Sequence, residues 1–304
     1  MMPARMRFTG LGTALVTPFK KDGSIDEAAV KRLVRRQIDA GAHFVSPCGT
    51  TGEAPTLNRA EKRRVVELVV EEVNHTVPVL AGAGGYDTNE VVELVRDFER
   101  VGCDGVLSVT PYYNKPTQEG LYGHYKEIAD CTALPIILYN VPGRTGVNLE
   151  AHTVARLAHL RCGVIGVKEA SGNIVQMSEI IASVPDDFIL LSGDDPIAVA
   201  VMAIGGRGLI SVASNAAPSE MAQIIELAEK GDFAGARRLH QWLLPFILVN
   251  FVESNPIPVK AAMAAMGLLD EVYRLPLVPP SDAAREKIMD VLQKLKLLGA
   301  AARA

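Results

Sequence analysis

A lysine closes the apolar run VIGV as Lys168 of the stretch VIGVKEASGN, residues 164–173. An ammonium carried into a strand that should be buried is costly unless it is paired or neutral. An amine attacks a ketone only when neutral, and apolar surroundings favour that form, so Lys168 is a candidate Schiff-base nucleophile. The plainer reading is a strand-end lysine whose amine reaches solvent or the neighbouring Glu169. Other reactive types stand at comparable places. Tyr139 ends the run PIILYN and could shuttle protons, or simply pack with its hydroxyl satisfied. Thr50 and Thr51, in GTTGE, could bind a carboxylate or pass a proton, or form a turn beside their glycines. Arg144, in VPGRTG, could clamp a carboxylate in bidentate fashion if a pocket holds it. Tyr112 and Tyr113 form an aromatic pair in TPYYNKP, suited to loop or interface packing.

These residues become a site only if the chain brings strand ends together. Eight β-rich runs are separated by stretches of helical period: LGTALVTPF, HFVSPCG, PVLAGAG, GVLSVTP, PIILYN, VIGVKEA, FILLSGD and GLISVAS. They read as continuous apolar runs, the habit of parallel strands covered on both faces. The helix between the first two runs from Asp26 to Gly41, and Asn58 with Glu61 opens the next like a capping box. Thr88, Ser219 and Ser281 are candidate starts of later helices. Eight such units predict an α/β fold, a (β/α)8 TIM barrel over residues 1–232, with a C-terminal helical extension over 233–304; a doubly wound sheet is the alternative. In a barrel, reactive groups gather at the C-terminal strand ends, where these motifs fall.

Composition narrows the functional classes. The 304-residue chain is 48% hydrophobic with net charge −4 and no long basic run, which argues against nucleic-acid binding. Cys48, Cys103, Cys131 and Cys162 form no CxxC pair or common zinc spacing, as in a reduced, cytoplasmic protein. The start, MMPARMRFTG, has no apolar signal core, and no run approaches the roughly 18 apolar residues of a membrane helix. AGAGGYD fails the GxGxxG pattern at Asp87, and there is no GK[ST] phosphate loop. Cys48 has no identifiable base partner and reads as packing.

GTTGE, TPYYNKP, YNVPGRTG, GVKEASGN and LLSGDD, in that order, together with FVESNPIPVK, resemble the dihydrodipicolinate synthase family. That family belongs to the pyruvate-dependent class I aldolases, which include N-acetylneuraminate lyase. The resemblance implies that Lys168 forms an imine with pyruvate, whose enamine attacks L-aspartate 4-semialdehyde to give 4-hydroxy-tetrahydrodipicolinate. It implies a proton relay of Tyr139, Thr50 and Tyr113, with Tyr113 inserted from a neighbouring subunit of a homotetramer built from dimers. Thr51 and the Ile210 backbone would hold pyruvate, Arg144 the aldehyde's carboxylate, and Gly193 would leave room beside the imine. No metal or organic cofactor is implied. Another lyase of the superfamily, acting on N-acetylneuraminate or 4-hydroxy-2-oxoglutarate, is the rival; Arg144 argues against the sugar acid. A non-catalytic keto-acid sensor would be free to lose the lysine or the tyrosines, which are all present. Lysine-inhibited members place a serine after GTTGE and two histidines in the next helix. Here Ala54, Arg59 and Lys62 stand there, although Glu90 and Tyr112 match, so weak or absent inhibition by lysine is expected.

Overall fold

Helix boundaries follow the local chemistry closely. Asp26 accepts from Ala29 N at 3.0 Å to open α1 (Glu27–Asp39), and Gly41 takes φ +93° just beyond its end. Asn58 and Glu61 exchange backbone and side-chain bonds at 2.9 and 3.0 Å, a full capping box for α2 (Arg59–Val73). Two expected starts move. Asp87, not Thr88, caps α3 (Thr88–Val101), because the Thr88 hydroxyl is engaged by His124 Nδ1 at 2.9 Å. Ser219 lies inside the first turn of α9 (Pro218–Glu229), which opens on Pro218, a residue suited to a position whose N–H needs no partner.

The computed structural model describes residues 8–160 and 163–298; the first seven residues, Cys162 and the tail after Leu298 lie outside them. The strands are β1 (Gly10–Ala14), β2 (Phe44–Ser46), β3 (Leu80–Gly82), β4 (Gly105–Val109), β5 (Ile136–Asn140), β6 (Val164–Glu169), β7 (Ile189–Ser192) and β8 (Gly208–Ser211). Between them also lie α4 (Gln118–Asp130), α5 (Pro142–Thr145), α6 (Ala151–His159), α7 (Ile174–Ser183) and α8 (Ala198–Ala203). All ladders are parallel, in the order β2-β1-β8-β7-β6-β5-β4-β3, and a bridge between Val45 and Val79 joins the two ends. The chain is therefore a (β/α)8 barrel, as the alternation predicts.

Every strand sends residues inward: Ala14, Phe44, Leu80, Leu107, Ile137, Ile165, Leu191 and Ile210 form one buried cluster. Phe44 fits because Gly12 lies opposite it; a Cβ on Gly12 would stand 2.2 Å from the ring. Strand alternation alone could not turn both Ile165 and Lys168 inward, since they are three residues apart. A register shift opposite Ile136 and Ile137 makes it possible, pairing Ile136 with Val164 but Ile137 with Gly166. Val167 then packs in the outer layer, against the helices. The C-terminal helices α10 (Phe233–Val249), α11 (Ile257–Ala265) and α12 (Asp282–Lys294) share a second core with β1, β8 and α9 through residues such as Leu11, Leu209, Phe246, Val259 and Ile288.

Asp195 pins the ends of β7 and β8. Its carboxylate accepts from the Ser211 hydroxyl and from Val212 N at 2.9 Å. Burial pushes its pKa up from 3.8 to about 6, against those hydrogen bonds. A raised carboxyl contributes most below its unfolded pKa and loses that contribution as pH rises through its folded one. At about 1.4 kcal/mol for each pH unit the loss is about 3 kcal/mol. Denaturation at about pH 4 and about pH 7 should show wild type gaining on Asp195→Asn at the lower pH; an offset independent of pH would contradict this.

Candidate functional site

The C-terminal ends of β2, β4 and β5 surround a cavity of about 350 Å³. Thr50, Tyr112, Tyr139 and Arg144 line it, with Glu53, Lys62 and Asn255. Lys168 lies against the Tyr139 wall. The two residues are paired across β5 and β6, both turned inward, and Lys168 Nζ stands 4.2 Å from the Tyr139 ring centroid. Lys168 is only 6% exposed, and among the described residues no hydrogen-bond acceptor holds its amine.

Glu169 does not serve as its partner. The strand turns that side chain to the opposite face, where Asn140 and Gln176 donate to Oε2 at 2.9 and 3.0 Å, and Ser171 N donates to Oε1 at 2.7 Å. The nearby charge is Asp194, whose pKa burial raises while Lys168 pulls it back. Gly193, just before it, packs on the lysine stem; a Cβ there would lie 2.9 Å from Lys168 Cε and 2.7 Å from the Ala170 Cβ. Ile210 is buried in the inward cluster.

The loop after β2 turns tightly on itself, with Gly52 N bonded to Gly49 O and Glu53 N to Thr50 O, both at 3.1 Å. Thr50 faces the cavity, whereas Thr51 is buried and its hydroxyl accepts from Asn255 Nδ2 at 2.9 Å. Asn255 O also accepts from Arg144 Nη2 at 3.2 Å, so one residue touches both anion-binding candidates. Asn255 was reached by no rule of spacing; it stands more than two hundred residues from Thr51. Cys48 lines the cavity too, but burial pushes its thiol pKa up to about 12, which fits packing, not nucleophilic chemistry.

Tyr113 is the one candidate held away from the others. It is 90% exposed on a left-handed backbone, φ +73°, while Tyr112 turns inward and stacks edge-on against Tyr86 at 5.4 Å. Of the residues at the lysine-site positions, Ala54, Lys62 and Tyr112 line the cavity. Arg59 instead reaches across to Glu93 and Asp97, each at 2.5 Å.

A second buried lysine offers a contrast. Lys260 is fully buried, and its Nζ donates to Glu53 Oε1 at 2.5 Å, Val272 O at 2.7 Å and Thr17 O at 3.1 Å. An ammonium has three N–H donors, so none is left over.

Comparison with known proteins gives a consistent picture. The model of the dihydrodipicolinate synthetase family matches residues 7–295. The 4-hydroxy-tetrahydrodipicolinate synthase of Thermodesulfovibrio yellowstonii is 50% identical over 292 residues, 96% of this chain and 99% of that one. The solved dihydrodipicolinate synthase of Thermotoga maritima superposes with a TM-score of 0.94 at 44% identity, covering 96% of this chain and all of that one. A solved monomeric variant of dihydrodipicolinate synthase is equally similar, at 44% identity and TM-score 0.94, over 97% of this chain and 99% of that one.

The contact between Gly193 and the Lys168 stem yields a direct test. Gly193→Ala should lower the free energy of unfolding by about 1–3 kcal/mol, the usual cost of forcing a methyl group into a packed site. Denaturant unfolding measures it; wild-type stability would show that this side of the lysine tolerates a methyl group.

Proposed function

The chain belongs to the dihydrodipicolinate synthetase family, and from that premise we propose how its residues divide the condensation of pyruvate with L-aspartate 4-semialdehyde. Lys168 attacks the keto carbon of pyruvate, water leaves, and an imine forms. Loss of a methyl proton gives the enamine, whose carbon attacks the aldehyde. The amino group of the second substrate then closes on the imine carbon and expels Lys168, giving 4-hydroxy-tetrahydrodipicolinate, on the route to diaminopimelate and lysine. The protonated imine is itself the electron sink, so this sequence of steps calls for no cofactor or metal.

Tyr139 and Thr50 carry protons to and from the reacting centre, with Tyr113 of a neighbouring subunit completing the relay. Thr51 and the Ile210 backbone hold the pyruvate carboxylate, Arg144 that of the aldehyde, and Gly193 keeps space beside the imine. A homotetramer built from dimers that exchange Tyr113 is part of this reading; the exposure of that side chain supports it. So are a cytoplasmic location, a barrel over residues 1–232 and a helical region over 233–304 that braces it. Among the described residues no helix is long and apolar enough to cross a membrane.

The observation that carries the assignment is the state of the two buried lysines. Lys168 sits 4.2 Å from the Tyr139 ring centroid with its amine unbonded, while every donor of Lys260 is engaged.

Pyruvate with borohydride should therefore mark Lys168 alone, and Lys168→Ala should remain folded while losing at least about a thousandfold in turnover. An adduct on Lys260, or turnover with N-acetylneuraminate or 4-hydroxy-2-oxoglutarate but not with the semialdehyde, would overturn the reading. Titration with lysine should leave the rate nearly unchanged at modest concentrations, because Lys62 puts a cation in the wall that a cationic ligand would face. Strong inhibition there would refute that expectation.

A further inference from the structure

Glu53 and Lys260 form a charged pair with no exposed side-chain surface, and nothing in the proposed chemistry uses either. Such a pair is a poor way to add stability, since the cost of removing both charges from water offsets their attraction. What it specifies well is a single geometry. Its position tells what is being specified. Glu53 directly follows Thr50, Thr51 and Gly52, and its backbone is left-handed, φ +54°, an unfavourable state for a residue with a side chain. Surroundings must hold it there.

They do so from far along the chain. Lys260 of α11 bonds Glu53 directly and also bonds Thr17 O; the Thr17 hydroxyl in turn donates to Gly52 O at 2.6 Å. The ammonium also lies over the rings of Phe19 and Tyr273, at 4.6 and 5.2 Å. Arg274 N reaches Glu53 Oε2 at 3.4 Å, and the Arg274 guanidinium ties Gly23 O, Thr56 O and Glu61 together around the same loop. The Gly52 carbonyl is thus held by Thr17 and the Glu53 carboxylate by Lys260 and Arg274, and two bonds close the turn back onto Gly49 and Thr50.

We propose that Glu53 and Lys260 are positioning residues, which set the hydroxyls of Thr50 and Thr51 in the orientation that the reaction needs. The inference rests on the roles given to those threonines above. Neither side chain has exposed surface, so each acts through its neighbours. Lys260 is no nucleophile here, because its three donors are committed; burial lowers its pKa, and the Glu53 charge opposes that shift.

Lys260→Met alone would strand a buried carboxylate and risks unfolding the chain. The double variant Glu53→Gln/Lys260→Met removes both charges, and Glu53→Asp keeps both but shortens the reach by one methylene. Each variant should still trap pyruvate on Lys168. Each should lose at least about tenfold in kcat, and amide exchange across residues 49–54 should quicken by a similar factor while β5 and β6 stay protected. Wild-type kcat and wild-type exchange in the double variant would overturn the proposal. If the double variant does not fold, the same two readings on Glu53→Asp decide. Amide exchange needs no turnover, so a wild-type protein inactive on pyruvate and the semialdehyde would sink the functional reading, while the exchange would still report on the clamp.

Discussion

Everything at this site depends on one constraint of parity in a parallel strand. Side chains of β6 alternate between the barrel interior and the helical layer, so Lys168 can face the interior only if the strand arrives in the right register. The irregularity opposite Ile136 and Ile137 sets that register, turning Ile165 and Lys168 inward and Val167 and Glu169 outward. It also brings Lys168 level with Tyr139 on the adjacent strand. A regular strand would have left Ile165 and Lys168 on opposite faces, and either the core layer or the site would have lost its residue.

The two buried lysines show the same side chain held in opposite ways. Both stand in apolar stretches, and both are almost wholly out of water. Around Lys260 the chain supplies a carboxylate, two carbonyls and two aromatic faces, which suit a permanent cation. Around Lys168 it supplies one aromatic face and the glycine gap at Gly193, and leaves the amine open. In the proposed mechanism, reactivity is a matter of which bonds are withheld.

Much of this was legible in the sequence because it is local. Caps at Asp26, Asn58 and Ser281, the alternation of strands and helices, and the order of the motifs all rest on near neighbours. Where a near rule failed, a distant contact had won: Thr88 was taken by His124, leaving the cap to Asp87. The bulge in β6 leaves no mark in VIGVKEA, since strand periodicity carries no record of the partner's register. Asn255 and the Glu53–Lys260 pair escaped for the same reason. They are contacts across more than two hundred residues, and each looks unremarkable beside its own neighbours. Glu169 misled because adjacency in sequence places a strand residue on the opposite face.

The barrel is not equally sewn all the way round. Between β2 and β3 the ladder dwindles to the Val45–Val79 bridge, with backbone bonds from Val45 N to Pro78 O and from Gly82 N to Pro47 O on either side. A sheet breathes most where its rungs are fewest. The loop bearing Thr50 and Thr51 rises from the end of β2, on the lip of that seam. The helical region that reaches over it from the far end of the chain is then less an appendage than a buckle, laid across a part of the ring with little backbone to hold it shut.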